Sequence, residues 1–182
     1  GELNPIVAGK GEPRATIDLY RDDQCSGAPL ASGEVGPAVG GPSGAFEIDN
    51  STVSDNSAVT GGGGIYLYGP DGPTTIENTT IAENQTAGSA GGLTNRRNAG
   101  MTLDAVTIAS NQGVGFAVAD NPVTLENSIV ADNAAADVST GATTINTEFD
   151  LIENPGTATI NVTTPGSMKT GVDPALGPLA DN

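Results

Sequence analysis

Ile76-Glu-Asn-Thr-Thr-Ile-Ala-Glu-Asn84 is the stretch whose recurrence decides the fold. Three further segments align with it without gaps: Ile48-Asp-Asn-Ser-Thr-Val-Ser-Asp-Asn56, Leu103-Asp-Ala-Val-Thr-Ile-Ala-Ser-Asn111 and Leu125-Glu-Asn-Ser-Ile-Val-Ala-Asp-Asn133. In each, the first position is Ile or Leu, the second acidic, the sixth Val or Ile and the ninth Asn. The closing Asn residues are 28, 27 and 22 residues apart. A period in the twenties belongs to a stacked solenoid, because one unit cannot bury its own apolar face.

A second register agrees with the first. Ile65 and Leu93 follow Asn56 and Asn84 by nine residues, each after a Gly pair (Gly63-Gly64, Gly91-Gly92). Phe116 and Val138 follow Asn111 and Asn133 by only five. The longer units therefore carry about four extra residues at one place, as expected for a loop on one face, and coils of roughly 22–24 residues remain. Within each unit the pattern is strand: Phe46/Ile48, Thr74/Ile76, Met101/Leu103 and Val123/Leu125 alternate with polar residues. Ile48 and Val53 are an odd interval apart, so both face inward only if the chain bends between them. Asn50, Asn78 and Asn127 occupy that bend and tolerate the left-handed conformation it needs; Ala105 is the exception. The closing row Asn56, Asn84, Asn111 and Asn133 is expected to stack at ~4.8 Å and to hydrogen-bond as an amide ladder.

Composition narrows the chemistry. The 182 residues include 22 Asp plus Glu against 6 Lys plus Arg, no His, no Trp and one Cys, for a formal charge of -16. Nucleic-acid affinity is built from Lys and Arg, so no nucleic-acid partner is expected. Without His, most hydrolase triads and zinc sites are excluded. Cys25 cannot form an internal disulfide and has no His to activate it. No run of 18 apolar residues occurs, so no membrane-spanning segment is expected. Since Gly1 is not a start Met, a signal peptide already removed, or an artificial start, is the expectation.

These features resemble the right-handed parallel β-helix repeat proteins. Among them the chain is most similar to secreted bacterial β-helix proteins with a choice-of-anchor domain, whose repeats read like Ile76–Asn84 followed by a run such as Gly61-Gly-Gly-Gly-Ile-Tyr66. A looser likeness is to polymorphic outer-membrane adhesins, through Val53-x-x-Asn56 and Gly62-Gly-Gly-Ile65. The resemblance covers about residues 46–182 and implies an all-β fold, a parallel solenoid of about five coils. Residues 46–154 are expected to form the helix and 155–182 a C-terminal strand and extended tail. Residues 1–45, with a short alternating strand at Ala15-Thr-Ile-Asp-Leu-Tyr20, are expected to be an irregular β segment covering one end. Asp150-Leu-Ile-Glu-Asn154 and Val172–Asn182 look like the group's closing segment; its cap and anchor are expected to be missing beyond Asn182.

Several candidate sites arise, each with a plain alternative. Asp49, Glu77, Asp104 and Glu126 form an outward acidic column in which like charges repel. A solvated, solubilising row is the preferred reading, and calcium, the one cofactor considered, is the alternative. Asp55, Glu83 and Asp132, with Ser110 between, form a weaker row with the same two readings. Arg96 and Arg97 hold two of the six basic residues; a charged loop tip is preferred over a contact to uronate carboxylates, as the fold's polysaccharide-acting members make. Tyr66 and Tyr68 are expected to pack beneath a neighbouring loop, with a sugar-stacking platform as the alternative. The Asn-x-Ser/Thr sequons at Asn50, Asn78, Asn84 and Asn161 are explained, at the first three, by the repeat itself.

The resulting expectation is a non-catalytic, extracellular or bacterial cell-surface scaffold for adhesion or extracellular structure. A surface glycan or protein receptor and a second copy, added end to end into filaments, are the partners considered. The alternative is a lyase or hydrolase of acidic polysaccharide, with two carboxylates as acid and base.

Overall fold

A computed structural model describes residues 16–19, 31–34, 46–68, 72–96 and 100–179. Strands β1 (Thr16–Leu19) and β2 (Ala31–Glu34) form an antiparallel pair. The first coil contains β3 (Phe46–Asp49), β4 (Thr52–Ser54), β5 (Ser57–Ala58) and β6 (Ile65–Tyr68). The second contains β7 (Thr74–Glu77), β8 (Thr80–Ala82) and β9 (Gln85–Arg96); the third, β10 (Met101–Asp104), β11 (Thr107–Ala109) and β12 (Gln112–Val118). The fourth contains β13 (Val123–Glu126), β14 (Ile129–Ala131) and β15 (Val138–Thr140), and the fifth β16 (Ile145–Glu148) and β17 (Leu151–Ile152). Finally, β18 (Ile160–Val162) and β19 (Lys169–Thr170) pair onto β16 and β17. Among the described residues there is no helix.

The successive coils stack into three parallel sheets, two of six strands and one built on β5, β6, β9, β12 and β15. Within residues 155–179, β18 and β19 thus begin a further coil. The described strands at 16–19 and 31–34 fit the irregular N-terminal β segment, while its proposed role as an end cap lies outside the described residues, as does Cys25.

Register turns the repeat into columns. Ile48, Ile76, Leu103 and Leu125 are neighbours in the first sheet, followed by Thr147. Val53, Ile81, Ile108, Val130 and Ile152 stack in the second, and Ile65, Leu93, Phe116 and Val138 in the third. Ile76, Ile81, Leu93, Leu103, Ile108, Phe116 and Leu125 are completely buried, and each is worth about 1.5–3 kcal/mol of burial. The first coil supplies the same apolar positions, but Phe46, Ile48 and Val53 are only partly buried.

The corners explain how so narrow a core closes. Asn50, Asn78, Ala105, Asn127 and Phe149 all have positive φ, between 46° and 61°. That agrees with the bend read from the odd interval, and adds an exposed Phe in a conformation that costs a bulky side chain energy. A second left-handed column is Asp55, Glu83, Ser110 and Asp132, with φ of 56–60°. The row read from sequence as a weaker charged site is thus the turn that leads into the Asn ladder.

In the first coil the extra residues form the link of residues 59–64 between β5 and β6, but in the second they are not a separate loop. From Gln85 to Leu93 the chain advances eight residues while its partner advances four, Gln112 to Phe116, through two irregularities in the pairing of β9 with β12. The surplus of four is absorbed as bulges that lift the strand outward. Gly92 and Gly115 lie where the chain runs closest to the ladder: a Cβ on Gly115 would sit 2.4 Å from Asn133 Nδ2, and one on Gly92 3.0 Å from Asn111 Nδ2.

Candidate functional site

The amide ladder forms at the turn between the second and third sheets. Asn56 Nδ2 donates to Asn84 Oδ1 (2.9 Å), Asn84 Nδ2 to Asn111 Oδ1 (3.1 Å), and Asn111 Nδ2 to Asn133 Oδ1 (3.0 Å). Each of these oxygens also accepts the backbone N–H of the preceding Asn, at 3.0 Å. One residue the repeat did not reveal completes the column: Asn133 donates its N–H and Nδ2 to Asp137 Oδ1, at 3.2 and 2.9 Å. Asp137 Oδ2 then accepts the Asn154 N–H at 2.6 Å. Asp137 follows Gly64, Gly92 and Gly115 in their column, so a buried carboxylate takes the place of a glycine where the Asn row ends.

A second polar column lies under the first corner. Ser51, Thr79 and Ser128 hydroxyls donate to the carbonyls of Asp49, Glu77 and Glu126, two residues back, at 2.8, 2.6 and 2.6 Å. This corner chemistry is why Asn-Ser or Asn-Thr recurs there; Asn84 is wholly buried. Asp150 ends this column as Asp137 ends the other, accepting the N–H groups of Ser128 and Glu148 at 2.8 Å each.

Burial pushes the Asp150 carboxyl up to about 7, with Glu126 and Asp104 adding to the rise and the two backbone N–H groups opposing it. Its pKa in the unfolded chain is the ordinary 3.8. Between those values the folded state holds a proton that the unfolded state has lost, so this contribution to stability is complete below about pH 4 and is lost as the pH rises through 7. Thermal melts from pH 5 to pH 8 are therefore expected to show a falling Tm, by a few degrees. The fall should be shallower in Asp150→Asn, and identical slopes in the two proteins would refute the assignment.

The acidic column is in register, Asp49 beside Glu77, Asp104 and Glu126, and Glu148 extends it by one coil. Asn78 Nδ2 donates to Asp49 (3.3 Å), Asn127 Nδ2 to Asp104 (2.8 Å) and Thr164 Oγ1 to Glu148 (2.6 Å). The carboxylates are thus separated by interleaved amide donors. Among the described residues, no group of three or more Asp, Glu or Cys is placed to hold a metal ion.

The third sheet presents a different surface. Among the described residues no loop buries Tyr66 and Tyr68: they are 43% and 52% exposed, with rings stacked 6.3 Å apart and 9° from parallel. Tyr66 lies over Gly61, where a Cβ would come 2.9 Å from the ring and where φ is +87°. Their neighbours on the next strand are Thr94 and Arg96. Beside them runs a groove of about 230 Å3, lined by Ser89, Thr94, Arg96, Ala117, Ser139 and Gly141 among others, none of them acidic. Ser89 comes from the bulged part of β9, so the extra residues of that coil supply a wall. Arg97 lies outside the described residues.

Stacked parallel coils, an inward amide ladder and single-residue left-handed corners define a β-helix solenoid. A family model described as right handed beta helix region matches residues 38–172, and the chain belongs to that family, with the right-handed coil it denotes. Comparison with curated proteins and with solved structures gave no match. No helix among the described residues is long and apolar enough to cross a membrane.

Proposed function

We propose that the protein is a non-catalytic scaffold, secreted or displayed on a cell surface, that holds a binding face on a rigid rod and needs no cofactor. The observation that carries this reading is the makeup of the groove on the third sheet. Its lining offers hydroxyls and a guanidinium, groups that bind and orient, whereas acid–base work on a glycosidic bond calls for positioned groups of tuned pKa. Ladder and corners lock the strands beneath that face, which favours recognition by a preformed surface. The secreted or surface location rests on the resemblance to choice-of-anchor proteins and adhesins.

The competing reading, an enzyme acting on acidic polysaccharide, requires a carboxylate from a neighbouring coil beside Arg96. Incubation with polygalacturonate, alginate and neutral polysaccharides is expected to release neither unsaturated nor reducing ends. Time-dependent release by the pure protein, abolished by heat, would replace the scaffold with an enzyme.

A further inference from the structure

We infer that the Tyr66–Tyr68 strip and the adjoining groove form a binding site for a neutral polysaccharide, with a sugar ring lying on the tyrosines and the next unit entering the groove. This deepens the scaffold reading and rests on it. Two nearly parallel aromatic rings, each about half exposed, present apolar surface on this sheet face. Their backbone is fixed by in-register pairing to β9, and Tyr66 is seated on Gly61. The platform therefore exists before any ligand arrives. A pyranose ring offers the matching face, with axial C–H groups against the π-cloud and hydroxyls around the edge.

The groove supplies partners for those hydroxyls. Phe116 and Val118 point into the core, so Ala117, between them on β12, points outward, and with Ser139 and Gly141 it makes a floor of small residues. Ser89 and Arg96 stand exposed at its edge. Thr94 Oγ1, in a buried residue of its wall, has no hydrogen-bond partner among the described residues. Buried polar groups are seldom left so. The volume of about 230 Å3 is below that of sites that enclose drug-sized molecules, and fits a single sugar unit better than an oligomer.

Charge selects among ligands. At a formal charge of -16 the protein repels polyanions, and one guanidinium in the groove does not reverse that field. Arg96 serves better as a fork of donors to adjacent hydroxyls than as a counter-ion for a uronate chain. An extended peptide adding to the sheet finds little free edge, because β9 and β12, which carry most of the lining, are paired on both sides and β15 alone of the three ends the sheet.

The test is retardation of the purified protein in native gels containing xylan, mixed-linkage β-glucan, hydroxyethyl cellulose or galactomannan. Polygalacturonate and a proline-rich peptide serve as comparison ligands, and the same mixtures are assayed for reducing ends. At least one neutral polymer is expected to retard the wild type. Affinity should fall about tenfold or more in Tyr66→Ala, Tyr68→Ala and Arg96→Gln, with Tm unchanged, and survive in Tyr66→Phe. Retardation only by polygalacturonate, binding only of the peptide, or no binding at all would overturn this inference and leave the scaffold standing. Equal binding by wild type and all three loss variants would overturn the site. Release of reducing ends would instead overturn the scaffold reading itself.

Discussion

Asn111→Ala is expected to lower the melting temperature by about 10 °C. Asn111 is 1% exposed and sits at the centre of the column. Its Oδ1 accepts the N–H and Nδ2 of Asn84, and its Nδ2 faces the carbonyls of Ile81 and Ala109 and the Oδ1 of Asn133, all at 3.0–3.1 Å. Truncation leaves the Asn84 N–H buried and unpaired, removes donors from two carbonyls, and opens a small void. An orphaned buried polar group costs about 1–3 kcal/mol, so the sum is about 3–5 kcal/mol after relaxation. For a domain of this size each kcal/mol is worth about 2–4 °C.

Asn111→Leu tests the same claim without the void. Its volume suits the site but it neither donates nor accepts, so an equal or larger loss is expected. Asn56→Ala provides the contrast: Asn56 is only partly buried, so a smaller loss than for Asn111→Ala is expected. A melting temperature for Asn111→Ala within 2 °C of wild type, as an experimental threshold of about half a kcal/mol, would show that the ladder is a consequence of stacking and not a cause.

What could be read from sequence was what repeats. An Asn at the same place in four units marks the ladder because stacking makes equivalent residues neighbours. The odd interval between Ile48 and Val53 marks the first corner because a strand alternates sides. By the same logic, features that occur once were hidden. Asp137 and Asp150 each close a polar column where the repeated residue runs out, and nothing distinguishes them in sequence from the other acids. A continued 22-residue offset places Pro155 after Asn133, and Pro carries neither the amide nor the backbone N–H that the ladder uses.

Other features have equally local causes. Asp55, Glu83 and Asp132 show their charge in the sequence, but not the left-handed backbone that they share with Ser110. The count of extra residues was legible, but sequence does not say whether a surplus leaves the sheet or is taken up as a bulge. The groove joins outward residues of different coils, Ser89, Ala117 and Ser139, that no single segment presents together. Tyr66 and Tyr68 were visible as a pair, yet their exposure depends on what crosses that face.

Asp137→Ala carries the second large expected effect, and its signature is local. The carboxylate is 1% exposed and is the acceptor for three N–H donors, two from Asn133 and one from Asn154. It therefore joins the end of the ladder to the fifth coil, in addition to the backbone bond from its own N–H to the Asn154 carbonyl (2.8 Å). Loss of all three side-chain contacts is expected to cost about 3–5 kcal/mol, the amount typical of breaking a buried charged hydrogen-bond set. Asp137→Asn keeps one oxygen. Its amide must turn an NH2 either toward Asn133 or toward the Asn154 N–H, so an intermediate cost of about 1–3 kcal/mol follows. In a solenoid each coil contacts only its neighbours, and stability is a sum of local terms. Hydrogen exchange in Asp137→Ala should thus accelerate first in β14, β15 and β17, while β7 and β8 keep their protection at the same temperature. Uniform acceleration through every coil would mean that the rod melts as one unit and that Asp137 does not act as the terminal clasp of its column.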